Sequence, residues 1–387
     1  MIWIVLILVA VACSVSLPLT WLMRALGHRL NALDSPGVAG QVKAARRKVP
    51  NLGGIAVFWA FALPALVAIA AARFLDPAAL PDWLAAARPY LPGLAAESVR
   101  GLWMLAGLTV VHIMGLIDDR RPLGPFVKLS VMVMAAAGVV WFTDTRLLTM
   151  LDGWAGGTWL SIVITIMWFV VVTNAMNFMD NMDGLSGGTG AIASSLFLAA
   201  ALVNGQWFVA GCLALLTGGL LGFLWWNFPR KGGATIFLGD GGSLVIGFLL
   251  AFLTTRTTYV HPTEVAGLAA PASHWYGVLM PLVVLAIPLY DFTSVVVIRL
   301  SQGRSPFVGD LQHFSHRLVR LGLSKRAAVC VIYGFTAVTG VAGISLGSLA
   351  PWQAVLVGLQ VLLILLVLAV FERARAVGMQ NMQGESK

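Results

Sequence analysis

Eleven apolar stretches divide this chain, and they decide its fold class before any other feature is read. A helix needs roughly 17 to 25 apolar residues to cross about 30 Å of hydrocarbon. Inside lipid the backbone must also satisfy its own hydrogen bonds, which helices do. The stretches run from 2 to 23, 53 to 72, 101 to 117, 126 to 142, 158 to 173, 189 to 203, 206 to 226, 243 to 255, 277 to 298, 327 to 348 and 351 to 371. Those at 189 and 243 are Gly-rich enough to tilt, break or merge with a neighbour. The expectation is an all-α polytopic membrane protein with ten or eleven transmembrane helices. A composition of 59% hydrophobic and 11% charged residues excludes the soluble classes.

The first stretch lacks the basic flank and small-residue cleavage site of a secretory signal, so it reads as a retained span. Residues 1–387 read as one membrane domain, with 372–387 as a tail. The Pro-rich segment 74–100 is expected to lie on the membrane surface. Cys13, Cys212 and Cys330 fall inside apolar stretches without metal or disulfide spacing, and read as small core residues.

Lys and Arg are retained on the cytoplasmic side of short loops. Alternate loops, at 24–52, 118–128, 174–188, 227–242, 299–326 and after 371, hold 20 of the 25 basic residues. Arg73, Arg88, Arg100, Arg146 and Arg256 are left for the other side. With eleven spans this puts the N-terminus outside and the C-terminus in the cytoplasm. The net charge of +9 is then a topology signal and a surface for anionic lipid. No interleaved aromatic pattern suggests nucleic-acid binding.

Every acidic or polar group suited to chemistry falls on that same side. In GLIDDRRPLGPFVKL, Asp118 and Asp119 close a span and Lys128 opens the next. Adjacent carboxylates repel, which suits a metal site or a base; a charged helix end at the interface explains an isolated pair equally well. In TNAMNFMDNMDGLSGG, the residues Asn177, Asp180 and Asp183 recur every third position. On a helix they would form one polar strip, facing a cavity, a ligand or a neighbouring helix. In ATIFLGDGGSLVIG, Asp240 is set among glycines that let backbone N–H groups approach an anion. Phe237 there offers a ring to a nucleobase or simply packs. In the last loop, Arg304, His313, His316, Arg317 and Arg320 form a cationic set suited to pyrophosphate, beyond what a positive-inside loop requires. Asp291, within an apolar stretch, calls for a partner.

Oxygen donors beside phosphate favour Mg²⁺, with Mn²⁺ as the alternative ion. A bridging metal would neutralise a pyrophosphate and stabilise the departing phosphate. Phosphoryl transfer from a soluble nucleotide donor to a membrane-held acceptor fits this inventory.

From about Asp34 to Leu318 the motifs, in order, resemble the polyprenyl-phosphate N-acetylhexosamine-1-phosphate transferase family. They are Arg47, Lys48, Pro50, Gly53 and Gly54, then the Asp118–Asp119 pair, NxxNxxDxxDGL, FLGDxGS and the loop from SPF to the histidines. The resemblance implies a bacterial inner-membrane enzyme with its active site facing the cytoplasm. It would move sugar 1-phosphate from a UDP-sugar to undecaprenyl phosphate and release UMP. Asp118 or Asp119 would be the base, and Asp240, with Asp183 and Asp118, would bind Mg²⁺. Asn177, Asp180 and Asp183 would shape the nucleotide site, Phe237 would stack on uracil, and Lys128 would hold phosphate. Arg304, His313 and His316 would contact the donor. Relatives of this kind can form homodimers.

Family members commonly carry HxHH or HHH in the last loop, whereas here Phe314 and Ser315 separate His313 from His316, and Gly309 stands where Pro is usual. This argues for UDP-GlcNAc or a related UDP-N-acetylhexosamine over the muramoyl-pentapeptide donor. An ion-coupled transporter is the rival from another class, but its charges would cluster near the bilayer midplane. An alcohol phosphotransferase would continue to Ala-Arg where Gly187 and Gly188 stand.

Overall fold

The computed structural model describes residues 2–33, 48–228, 232–258, 279–346 and 349–384. Asp34 and Arg47 lie outside the described residues. Regular structure within them is helical: α1 (Ile2–Arg29), α2 (Gly53–Phe74), α3 (Leu91–Arg120), α4 (Pro125–Thr143), α5 (Trp159–Phe178), α6 (Leu185–Val203), α7 (Trp207–Asn227) and α8 (Asp240–Thr258). Two short pieces follow, α9 (Leu279–Val284) and α10 (Ala286–Ser301), and then α11 (Phe314–Arg320), α12 (Lys325–Ser345) and α13 (Pro351–Gly384). Nine helices among the described residues, α1 to α7 with α12 and α13, are long and apolar enough to cross a membrane.

Two of the eleven expected stretches differ from those nine. The run 243–255 lies on α8, whose residues from Gly241 to Thr255 are all buried. Helices α2, α3, α5 and α6 surround it, so protein supplies the apolar environment that lipid supplies elsewhere. The stretch 277–298 is not one helix. Pro288 has no N–H for the carbonyl of Val284 and its ring crowds that position, so the chain breaks at Leu285, between α9 and α10.

The segment expected as a surface loop is largely helical. Pro77–Ala79 and Asp82–Tyr90 form 3-10 turns, and α3 begins at Leu91, well ahead of residue 101. Pro92 in its first turn has no intrahelical partner to lose there. Cys212 is buried and Cys13 partly so, but Cys330 is exposed on α12 and is no core residue.

The two ends of the bundle are chemically unlike. At one, Arg88, Arg100, Arg146 and Arg256 each pair with a carboxylate, from Asp82, Glu97, Asp144 with Asp152, and Glu97 respectively. Four of the five arginines assigned to the outer side are thus neutralised locally. At the other end, hydrogen bonds join the last turns of α3, α5 and α7 to the first turns of α2, α4, α6 and α8. The acidic motifs all converge here.

Candidate active site

Glycine makes that convergence possible. A Cβ on Gly54 of α2 would lie 2.3 Å from the Gly242 nitrogen, and one on Gly115 of α3 would lie 2.6 Å from the Asp240 carbonyl carbon. Both contacts are with α8 backbone, which has no flexible end to move aside. Gly239 has φ +72°, a conformation that L side chains rarely adopt, and a Cβ there would meet Asn51 and Asp119. The segment before α2 is pinned in turn. The Phe237 N–H donates to the Pro50 carbonyl at 2.8 Å, and the Gly53 and Gly54 N–H groups donate to the carbonyls of Phe237 and Leu238, each at 2.9 Å.

The two adjacent aspartates do different work. Asp119 accepts from the backbone N–H groups of Asp240 (3.0 Å) and Gly241 (3.1 Å) and from the Asn51 amide (2.9 Å). Three donors therefore hold it at the start of α8, where the helix dipole favours negative charge. Asp118 turns to Lys128 instead, accepting its ammonium at 2.9 Å, while the Leu123 N–H donates to the other oxygen at 2.6 Å. The same ammonium donates to Asp240 at 2.6 Å. Asn177 donates to the second Asp240 oxygen at 2.9 Å and to Ser243 at 3.0 Å. Four expected residues, Asp118, Lys128, Asn177 and Asp240, thus form one hydrogen-bonded chain across α3, α4, α5 and α8.

The expected i, i+3 strip does not run on one helix. Helix α5 ends at Phe178, and Asp180 and Asp183 lie in the turn before α6. Burial first, and then the charges of Asp240 and Asp119, push the Asp180 carboxyl well above the usual carboxylate range, against the opposing hydrogen bond from the Gly239 amide. Asp183 accepts the Ala234 N–H at 2.8 Å, tying this turn to the strand-like segment that leads to Asp240. Asn227 completes the tie: its oxygen accepts from the Gly184 N–H at 2.9 Å and its nitrogen donates to the Ile236 carbonyl at 2.8 Å. Phe237 is half-buried beside Asn51 on this same segment.

The histidine loop docks against the α5 end of this framework. Asp291 finds the partner that its apolar setting requires: one oxygen bonds His313 Nδ1 at 2.9 Å and the other accepts the Phe314 N–H at 2.5 Å. The edge-on His313 ring lies 5.3 Å from Phe178, and Ser315 donates to Asn181. Arg299, nearly fully buried, binds Asp310 at 3.0 Å and the Pro306 carbonyl at 2.7 Å, which shapes the SPF turn. His316 lies 6.4 Å from His313 between ring centres; burial, and then nearby positive charge, lower its pKa to about 4, so it is neutral at pH 7. Arg304 and Arg320 are exposed, whereas Arg317 is absorbed by Glu372 and Ser294.

Among the positioning groups, Asn51, Asn181, Asn227, Ser243, Ser315 and Glu372 were not singled out from sequence. Asn51 beside Gly53–Gly54 and Asn227 at the end of an apolar run carried a signal: an amide buried at a helix end needs partners.

A bundle of apolar helices that holds a lysine-bridged set of carboxylates at one end, beside a loop of histidine and arginine, defines an integral membrane enzyme working at the lipid–water boundary. The comparisons with known proteins sharpen that class. The profile described as Glycosyl transferase family 4 matches residues 102–258. A decaprenyl-phosphate N-acetylglucosaminephosphotransferase of Mycobacterium tuberculosis H37Rv is 33% identical over 301 residues, 73% of this chain and 69% of the relative. A probable undecaprenyl-phosphate N-acetylglucosaminyl 1-phosphate transferase of Bacillus subtilis is 25% identical over 346 residues, 88% and 84% of the two chains. The undecaprenyl-phosphate α-N-acetylglucosaminyl 1-phosphate transferase of Escherichia coli K12 is 29% identical over 277 residues, 69% and 70%. The chain belongs to this family of polyprenyl-phosphate N-acetylglucosamine-1-phosphate transferases.

Proposed function

We propose that the protein transfers N-acetylglucosamine 1-phosphate from UDP-GlcNAc to undecaprenyl phosphate, releasing UMP and leaving a lipid-linked diphospho-sugar for envelope polysaccharide synthesis. The observation that carries this reading is the Asp118–Lys128–Asp240–Asn177 chain at one end of a lipid-embedded bundle. A lipid phosphate held at a bilayer surface and a soluble nucleotide can both reach such a site. The alternate loops assigned to the cytoplasm from sequence hold 20 of the 25 basic residues, which supports a cytoplasmic site, an external N-terminus and eleven crossings of a bacterial inner membrane.

In this reading an oxygen of the acceptor phosphate attacks the donor phosphorus that bears the sugar. The bond from that phosphorus to the oxygen bridging to the uridine phosphate breaks, and UMP leaves. Asp118 is the better candidate for the base. Asp119 is already held by three N–H donors, and its task is to fix α3 on the start of α8. Lys128 would hold a phosphate oxygen, Phe237 would stack on uracil, and His313, His316 and Arg304 would contact the donor. Neutral His316 would act there as a hydrogen-bonding group.

The donor set fits Mg²⁺. Asp118 and Asp240 offer hard oxygens around one ammonium, with Asp180 close to Asp240, although no three His, Cys, Asp or Glu side chains among the described residues form a ready-made metal nest. Mg²⁺ usually takes one or two carboxylates together with substrate phosphate and water. Asp240 and Asp118 would hold it, with Asp183 at the adjoining turn. When bound, the ion neutralises pyrophosphate charge.

The test is purified protein with undecaprenyl phosphate, Mg²⁺ and a panel of labelled UDP-sugars. Transfer of label from UDP-GlcNAc into lipid, with equal UMP release abolished by EDTA, supports the reading. Folded protein that transfers nothing from any UDP-sugar refutes it.

A further inference from the structure

The histidine helix α11 is held on three sides, and one of them is the far end of the chain. Asp291 on α10 holds its start, and Ser315 joins it to Asn181 in the acid turn. The third tie is Arg317, which donates from Nε to Glu372 Oε1 at 3.0 Å and from Nη2 to Oε2 at 3.1 Å. Its remaining bonds go to Ser294 (2.9 Å) and to the Gln312 carbonyl (2.5 Å). Tyr290 donates to the same Glu372 oxygen at 2.6 Å. Apolar packing of Phe314, Leu318, Ile287 and Leu368 encloses the group.

From sequence, Glu372 is an ordinary charge one residue past an apolar run, and Arg317 is one more cation of the loop. The geometry reverses both readings. Glu372 is 9% exposed, and a carboxylate buried to that extent requires its partners. A two-pronged guanidinium–carboxylate pair fixes orientation as well as distance. Arg317 follows His316 directly and lies four residues after His313, so anything that sets Arg317 sets the faces on which both histidines stand.

We propose that Glu372 is a positioning residue for the donor subsite: through Arg317 it fixes α11, and so makes α13 part of the machinery that presents His313 and His316. The inference rests on the reading above in assigning those histidines to the UDP-sugar. Removing the carboxylate lets α11 shift without touching Asp118, Lys128 or Asp240, so donor and acceptor parameters should separate.

The experiment compares wild type, Glu372→Gln and Glu372→Asp in detergent, each shown to be folded by its elution profile and thermal midpoint. In Glu372→Gln the KM for UDP-GlcNAc should rise at least about tenfold, since displacements near 1 Å cost up to about a hundredfold. The KM for undecaprenyl phosphate should stay within twofold, and Glu372→Asp should recover part of the loss. A donor KM within twofold of wild type, or equal changes in both KM values, would overturn the proposal. Hydrogen exchange of residues 313–320, measured without substrates, gives a readout independent of the reaction. Faster exchange in Glu372→Gln supports the strut, and unchanged exchange overturns it even if the protein proves to use another donor. Failure of wild type to use any UDP-sugar would strike the earlier reading alone. If Glu372→Gln does not fold, Arg317→Met/Glu372→Met removes both buried charges and is judged by the same exchange criterion.

Discussion

Replacing Gly115 by Ala tests whether close backbone approach builds the site. The new Cβ would lie 2.6 Å from the carbonyl carbon and oxygen of Asp240 and from the Gly241 nitrogen, about 0.8 Å short of ordinary contact at 3.4 Å. Neither α3 nor α8 offers a side chain that could yield, so one helix must move by most of that distance. Overpacking of this kind costs about 1–3 kcal/mol of stability. The movement would fall on Asp118 and Asp119, three and four residues on, and on Asp240 itself. A misplacement near 1 Å at reacting groups costs about a hundredfold in rate. The expected result is folded protein with a lower thermal midpoint and a kcat reduced by ten- to a hundredfold, to order of magnitude. Gly138→Ala on α4 is the control, because a Cβ there meets nothing within 4 Å. It should keep wild-type rate and gain slightly from the better helix propensity of Ala. Measurement is of label transfer to lipid in parallel with a thermal melt. A Gly115→Ala enzyme with wild-type kcat would refute the close-approach argument.

The three acids at the junction should separate by phenotype. Asp118→Asn and Asp240→Asn should abolish label transfer without preventing membrane insertion. Asp119→Asn, which turns an amide NH₂ toward donors that need an acceptor, should abolish transfer and also lower the thermal midpoint, at a cost of about 1–3 kcal/mol. Melts of the three variants side by side decide this, and equal midpoints would remove the structural role given to Asp119. His316 titrates near 4 in the folded protein against an ordinary value of 6.5, so the unfolded chain takes up the proton first as pH falls. Its contribution to stability is present above pH 6.5 and is lost toward pH 4. Melting midpoints from pH 7.5 to 4.5 should therefore fall less steeply in His316→Gln than in wild type. Ser315 is 1% exposed and bonded to Asn181, so Ser315→His has no room and should raise the donor KM, while Ser315→Ala costs only the hydrogen bond; steady-state kinetics will show whether that order holds.

The helical fold was legible because apolar length is a one-dimensional property: a run long enough to cross lipid is visible without knowing what it packs against. Hydropathy alone did not show that α8 is enclosed by protein on every side, nor that Pro288 divides a run whose hydropathy continues. Motif order likewise brought Asp118, Lys128, Asn177 and Asp240 to one place. It could not divide labour between Asp118 and Asp119, because that division is made by backbone N–H groups of Asp240 and Gly241, far along the chain. Arg317 was read as a substrate cation because its partner, Glu372, lies 55 residues away and looks like a helix-end charge.

The charge balance of the site calls for more positive charge than one ammonium supplies. Asp118, Asp119, Asp180 and Asp240 lie close enough to feel one another, and among the described residues the ammonium of Lys128 joins only two of them. Part of that excess is absorbed by the start of α8 and part by the reluctance of Asp180 to ionise. An anionic pyrophosphate would still be repelled. Positive charge must arrive with the donor or stand opposite it, which is the part proposed above for a divalent ion and for the exposed Arg304. Stripping metal with EDTA should therefore weaken donor binding more than acceptor binding, since a pyrophosphate brings more charge to the carboxylates than the lipid monophosphate does. Calorimetric titration of UDP-GlcNAc and of undecaprenyl phosphate, each with and without Mg²⁺, measures the difference. Equal losses for the two would mean that the ion serves the fold of the site and not its charge.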